Sequence, residues 1–131
     1  MADTSFLAWP FFDERHRDLA KQLQRWCEAH LHAQGSPLDV YCRKLVAALG
    51  SAGFLKLSVA DGKHRPDVRS LALARETLAY HDGLADFAFA MQGLGSGAIS
   101  LFGTIEQKRE WLPRVASGEA IAAFAMTEPE C

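Results

Sequence analysis

The residues best suited to chemistry lie near the carboxyl end, where one polar side chain closes an apolar run. Residues 121–126 are apolar, and Thr127, Glu128 and Pro129 follow them directly. The run is predicted to form a short strand, which places a hydroxyl group and free backbone amides at the strand end. Such groups suit the polar edge of a flat aromatic cofactor. An ordinary strand end followed by a turn remains the competing interpretation.

A second candidate region contains the glycines Gly93, Gly95 and Gly97. Residues 93–98 match the loose GxGxxA form of a dinucleotide-binding loop, with residues 86–90 as a possible preceding strand. No other strand–helix–strand unit is visible, and apolar helical spacing continues through the glycines, so a helix is favoured over the nucleotide loop. Each helical glycine costs roughly 0.5–1 kcal/mol relative to alanine. Close packing, or a ligand against exposed backbone, must offset that cost.

Metal ligands and catalytic groups are not indicated by spacing. Glu76 and His81 are five residues apart, whereas a di-metal bundle site needs a spacing of about three on one helical face. His30 and His32 lie on different faces of a helix. Ser96 has Leu94 and Ala98 at the two positions where a Gly-x-Ser-x-Gly nucleophile elbow has glycines. The sequence therefore predicts no metal site and names no catalytic residue.

Composition limits the class of protein. The chain has 131 residues, is 49% hydrophobic and carries a formal net charge of −2, as expected for one globular domain. It lacks the basic surface that nucleic acid requires and any apolar run long enough to span a bilayer. The three cysteines form no CxxC pair and no secretory signal is recognisable, which together favour a cytoplasmic location.

Apolar periodicity predicts an all-α fold, an antiparallel bundle of five to six helices with a short C-terminal strand. Caps and helix breakers bound five of the helices, near residues 13–35, 36–53, 66–82, 84–102 and 104–117. Ser36 is predicted to cap the second helix, and Thr104 and Gln107 to form a capping box for the fifth. The fourth helix carries an apolar stripe of six residues: Leu84, Phe87, Met91, Leu94, Ala98 and Phe102.

Four motifs closely resemble those of the acyl-CoA dehydrogenases in order and spacing. They are Glu106-Gln107-Lys108, Trp111-Leu112-Pro113, Ser117-Gly118-Glu119 and Phe124-Ala125-Met126-Thr127-Glu128-Pro129. The resemblance covers the whole chain as the N-terminal helical domain of that family, although the earlier helices match in pattern only. It implies a helical domain over residues 1–120 and the first strand of a truncated middle β-domain over residues 121–131.

The resemblance implies an enzyme that uses bound FAD to oxidise the Cα–Cβ bond of an acyl-CoA thioester. Phe124, Met126 and Thr127 would lie along the flavin, with Thr127 hydrogen-bonded to the pyrimidine edge of the ring. Met91 and Leu94 would line the acyl-chain pocket. The catalytic glutamate of the family lies in a C-terminal domain outside this sequence, so no catalytic residue is carried over.

The implied partners are an acyl-CoA substrate, an electron-transfer flavoprotein or similar acceptor, and further copies of the chain in a homo-oligomer. After Thr-Glu-Pro the family continues Gly-Ala-Gly-Ser-Asp, whereas this chain has Glu130 and Cys131. We therefore expect the isolated chain to be inactive and to bind FAD weakly or not at all. The alternative is a standalone helical bundle without enzymatic activity, which would use its exposed apolar surface to bind protein partners.

Overall fold

The computed structural model describes residues 3–31, 35, 37–64 and 66–129. Within these ranges the α-helices are α1, Glu14–His30; α2, Leu38–Ser51; α3, Val68–His81; α4, Gly83–Phe102; and α5, Ile105–Ala116. Two short 3₁₀ helices cover Ser5–Ala8 and Phe54–Leu57. The all-α prediction is confirmed. No helix in the described part of the chain is long and apolar enough to cross a membrane.

The predicted C-terminal strand is not found. Residues 121–128 have no regular secondary structure, and the described ranges contain no strand at all. A strand needs a neighbour to pair its backbone N–H and C=O groups, and the described residues supply none beside this segment. It lies against α4 instead, where the Ala122 N–H donates to the side-chain oxygen of Gln92 at 2.9 Å.

Helix boundaries differ from prediction mainly around α2. The first helix ends at His30 rather than at Gly35, and the predicted cap Ser36 lies outside the described residues, as does His32. Gly50, predicted to close the second helix, is buried inside α2. A glycine is needed there, because a Cβ atom would overlap the Ser117 carbonyl and lie 2.6 Å from the Gly118 nitrogen. Gly53, with φ of +80°, follows the helix in the left-handed region.

The apolar core lies where α1, α2, α3 and α4 meet. Its buried members are Leu23, Cys27, Leu45, Val46, Leu49, Leu55, Ala74, Leu78, Ala85, Ala88 and Phe89. Helix α3 packs against both α1 and α4, and α4 also contacts α2, α5 and the second 3₁₀ helix. A smaller cluster of Val59, Leu112 and Val115 joins α5 to the connection between α2 and α3.

A buried histidine joins the start of α1 to the start of α3. The His16 imidazole is fully buried, and its Nε2 lies 3.0 Å from Asp67 Oδ2. Asp67 caps α3 by accepting from the Arg69 N–H, and its carboxylate also accepts from the Ser70 hydroxyl at 3.1 Å. Burial raises the pKa of Asp67, but hydrogen bonds from His16, Ser70 and Arg69 outweigh it and lower the pKa from 3.8 to about 2.

Helix α4 buries Phe89 together with small and polar residues, and it exposes most of the predicted apolar stripe. The inward residues are Ala85, Ala88, Phe89, Gln92, Ser96 and Ser100. The exposed ones include most of the predicted stripe: Phe87, Leu94, Ala98 and Phe102. The inward hydroxyls are paired, since Ser96 donates to the Gln92 carbonyl and Ser100 to the Ala60 carbonyl. The apolar stripe therefore faces outward, as on a surface that meets a ligand or another protein surface.

The three glycines of α4 have different surroundings. A Cβ atom on Gly93 would lie 2.6 Å from the Ser58 carbonyl oxygen, and one on Gly95 would lie 2.8 Å from the Ala123 nitrogen. A Cβ atom on Gly97 would meet nothing within 4 Å. Close packing thus accounts for Gly93 and Gly95, whereas Gly97 faces open space. Because residues 83–102 form one continuous helix, the nucleotide-loop interpretation is wrong.

The glycines of α4 provide a matched pair of stability tests. Gly97→Ala adds a methyl group in open space and removes a glycine from a helix, so we expect the free energy of unfolding to rise by roughly 0.5–1 kcal/mol. Gly93→Ala forces Ser58 away and should lower it by about 1–3 kcal/mol. Urea denaturation of both variants measures the difference. Equal effects at the two positions would contradict the assigned packing.

The lowered pKa of Asp67 predicts a pH dependence of stability. Because the folded-state pKa lies below the ordinary value of 3.8, the contribution of Asp67 is present above about pH 4 and is lost as the pH falls towards 2. We expect Asp67→Asn to lower the free energy of unfolding by on the order of 1 kcal/mol near neutral pH. Between pH 4 and 2, the free energy of unfolding of the variant should fall less steeply than that of wild type. Urea denaturation across this range, with the exposed Asp18→Asn as charge control, tests the expectation. Parallel profiles for wild type and Asp67→Asn would refute it.

Candidate functional site

The residues predicted to bind substrate lie on the open face of α4. Met91 is half-buried, and Leu94 is 54% exposed one turn further along. Met91 and Gly95 are also one turn apart, so they lie on the same side of the helix. The backbone of Ala122 and Ala123 crosses α4 at Gly95. Met91 therefore lies beside the point where the C-terminal segment meets the helix.

The residues predicted to bind a cofactor follow this crossing directly. Phe124 is 48% exposed, Met126 is 74% exposed, and Thr127 is also exposed. Thr127 makes no hydrogen bond to another described residue. The structure thus brings Met91, Leu94 and the start of the C-terminal segment to one side of α4. Thr127 lies four residues beyond the crossing.

A tight turn after α5 directs the segment towards α4. Gly118 has φ of +77°, and a Cβ atom there would lie 2.7 Å from the Val46 carbonyl oxygen of α2. The Ala120 N–H then donates to the Arg114 carbonyl at 3.0 Å. The Arg114 guanidinium pairs with Glu119 at 3.0 Å and lies over the Trp111 ring. The turn is therefore held by both α2 and α5.

Gln92 is a buried polar residue near the candidate site that sequence reasoning did not single out. Its side chain is 1% exposed, its Nε2 donates to the Ala88 carbonyl at 3.1 Å, and its Oε1 accepts the Ala122 N–H at 2.9 Å. One signal was present in the sequence: Gln92, Ser96 and Ser100 recur every fourth residue opposite the apolar stripe. A polar row at that spacing indicates either a solvated face or a satisfied buried one, and here it is buried.

The arrangement fits a flat heteroaromatic ligand better than a metal ion. Apolar side chains at positions 124 and 126 can cover a ring face, and the Thr127 hydroxyl can hydrogen-bond its edge. In the described ranges, no group of three or more His, Cys, Asp or Glu side chains is close enough together to hold a metal ion. The residue types present at the predicted cofactor site therefore fit a flavin ring.

Two grooves of the described structure lie away from these residues. One, of about 1040 Å³, lies between α5 and the connection from α2 to α3 and is lined by the cations Lys56, Lys63, Lys108 and Arg109 among others. The other, of about 660 Å³, lies between the N-terminal 3₁₀ helix, α1 and α3. Neither groove is lined by a predicted site residue.

Comparison with known proteins identifies the family. Residues 13–119 match the family model described as the acyl-CoA dehydrogenase N-terminal domain. The acyl-CoA dehydrogenase FadE12 of Mycobacterium tuberculosis is 28% identical over 99% of this chain and 34% of its own length. A probable acyl-CoA dehydrogenase of Bacillus subtilis is 32% identical over 90% of this chain and 21% of its own length.

A third relative extends the comparison to a mitochondrial enzyme. The very long-chain specific acyl-CoA dehydrogenase of Rattus norvegicus is 42% identical over 62% of this chain and 12% of its own length. The chain thus spans about a third of the length of FadE12 and less of the other two relatives. Because the family model covers most of the 131 residues, the chain belongs to the acyl-CoA dehydrogenase family.

Proposed function

We propose that this chain is the N-terminal part of a FAD-dependent acyl-CoA dehydrogenase and forms one wall of its flavin and acyl-chain sites. The observation that carries the proposal is the outward-facing apolar stripe of α4 beside the segment that leads to Thr127. A helix that packed only within its own domain would bury that stripe. Here the domain buries the other face, which is apolar at Ala85, Ala88 and Phe89 and polar at Gln92, Ser96 and Ser100.

Met91 and Leu94 form the acyl-chain side of this wall. Both are large, apolar and accessible, and neither belongs to the buried core. An acyl chain laid along them would remove apolar surface from water, at roughly 25 cal/mol per Å². Gly97, whose surroundings are open, leaves further room along the same helix.

Phe124, Met126 and Thr127 form the flavin side. The first two would cover the ring and exclude water, and the hydroxyl and N–H of Thr127 would hydrogen-bond the pyrimidine edge. When bound, FAD supplies the acceptor for the hydride that leaves the acyl chain. Residues 121–131 would then be the first part of a middle β-domain that follows the helical domain of residues 1–120.

The proposal includes an acyl-CoA substrate, an electron-transfer flavoprotein or similar electron acceptor, and assembly into a homo-oligomer. Support comes from the names of the relatives, one of which specifies very long-chain acyl-CoA, and from the exposed apolar residues at the junction of α4 and α5. Leu101, Phe102 and Ile105 are all largely exposed there, and surfaces of this kind often mark contacts with other proteins.

The same exposed residues favour a second candidate function, a helical bundle that binds protein partners without catalysis. FAD binding and the bleaching of the bound flavin distinguish the two candidate functions. A complete gene product that binds FAD, and whose flavin is bleached anaerobically by an acyl-CoA, is a dehydrogenase. A product that binds neither ligand supports the interaction module.

Removing the Thr127 hydroxyl tests the flavin contact. We expect Thr127→Val in the complete gene product to raise the Kd for FAD about fivefold, because a lost hydrogen bond costs about 1 kcal/mol. Thr127→Ser keeps the hydroxyl and should bind like wild type. Titration of the apoprotein, followed by flavin absorption, measures both. Identical Kd values for the two variants would refute the contact.

Adding bulk at Leu94 tests the acyl-chain contact. Leu94→Phe should lower kcat/KM for long-chain acyl-CoA about tenfold relative to short-chain acyl-CoA, because the larger ring occupies space along the chain. Leu101→Phe, on an exposed part of the same helix, serves as the control and should leave the ratio unchanged. A uniform loss across chain lengths in Leu94→Phe would contradict the assignment.

A further inference from the structure

The path of the C-terminal segment depends on two neighbouring positions of α4. At Gln92 a directional contact forms, since the buried Oε1 accepts the Ala122 N–H at 2.9 Å. At Gly95, three residues along and on the same side, the absence of a side chain permits close approach. A Cβ atom there would lie 2.8 Å from both the nitrogen and the oxygen of Ala123 and 2.9 Å from the Ala122 Cβ.

The contacts at Gly95 and Gln92 have different effects on the C-terminal segment. The glycine sets how closely the segment can approach the helix, because any side chain would push the Ala123 backbone away. The carboxamide holds Ala122 over the helix, because its oxygen accepts the Ala122 N–H. Loss of this contact would leave the buried Gln92 oxygen without a donor, which is unfavourable.

The position of Gln92 requires both a hydrogen-bond donor and an acceptor, and a carboxamide supplies both. Its N–H donates to the Ala88 carbonyl at 3.1 Å, which orients the group, and its oxygen is then directed at Ala122. The Ser96 hydroxyl, one turn further along, bonds within α4, where it donates to the backbone carbonyl of Gln92 at 2.6 Å. Among the described residues, Gln92 is the side chain that hydrogen-bonds the backbone of residues 121–127.

We propose that Gln92 is a positioning residue that sets the register of residues 121–123 on α4 and so aligns Phe124 and Thr127 with Met91 and Leu94. This inference rests on the proposed function, because alignment matters only if those four residues share a flavin and acyl site. Gln92 itself would touch neither ligand, since it is buried beneath the segment.

The register is tested by hydrogen exchange of the Ala122 amide, measured by NMR. Gln92→Met keeps the shape of the side chain but removes the carboxamide, and we expect exchange at Ala122 to become about tenfold faster while the helical signal stays unchanged. Gly95→Ala should give the same local effect by a steric route that leaves Gln92 intact. The control is Ser96→Ala, a buried change on the same face that should leave Ala122 protected.

The positioning is tested by flavin binding in the complete gene product. Gln92→Met and Gly95→Ala should raise the Kd for FAD about tenfold, whereas Ser96→Ala should bind like wild type. A wild-type Kd in Gln92→Met, or an equal loss in Ser96→Ala, would overturn the proposal. So would unchanged protection of Ala122 in Gln92→Met.

The two hypotheses can fail separately. If the wild-type protein binds no FAD, the proposed function is wrong, and the exchange rate of Ala122 in Gln92→Met alone decides whether Gln92 sets the register. If the wild-type protein binds FAD and Gln92→Met binds it equally well, the proposed function stands and the positioning role is refuted.

Discussion

Close contact between backbones along α4 is the constraint on which the rest of the domain depends. The Ser58 carbonyl approaches Gly93 and the Ala123 backbone approaches Gly95, distances that permit no side chain at either position. A helix that accepts neighbours this closely must present small residues to them. Four of the large apolar residues of α4 (Phe87, Leu94, Leu101 and Phe102) are exposed, whereas Phe89 is buried in the core.

Carboxylates near the starts of α3 and α4 connect these helices to their neighbours. Asp67 caps α3 and contacts His16 of α1, while Asp82 caps α4 and accepts from the Tyr41 hydroxyl of α2. Burial, together with the hydrogen bond to Asp82, raises the pKa of Tyr41 to about 12. Arg75 of α3 adds two parallel hydrogen bonds to Asp86 at 2.9 Å each. Each contact uses the partial positive charge at a helix start and also connects two helices.

The sequence predicts what depends on local pattern, and it fails where tertiary contacts decide. The capping box at Thr104 and Gln107 is confirmed, because the residues that form it are neighbours in the chain. The strand over residues 121–126 is not found, since a strand depends on a partner that local pattern does not supply.

The sequence does not predict the surroundings of Gly50 and Gln92 for the same reason that it mispredicts the strand. Both residues make tertiary contacts that local pattern does not reveal. Helical spacing gives the stripe on α4 but not its direction, because either face of a helix can be the buried one until its neighbours are known. Of the predicted site residues, Leu94, Phe124, Met126 and Thr127 are exposed and Met91 is half-buried. Ligand contacts at these five residues stay predictions.

The pair Gly50 and Gly118 has a consequence for how this domain can change over evolution. Most core contacts can absorb a larger residue on one side if a smaller residue appears on the other. At this contact each glycine already faces the backbone of the other element, so no smaller residue exists to compensate for a gain in size. The contact between α2 and the turn after α5 therefore cannot evolve through paired changes in side-chain volume, the route by which most protein cores change.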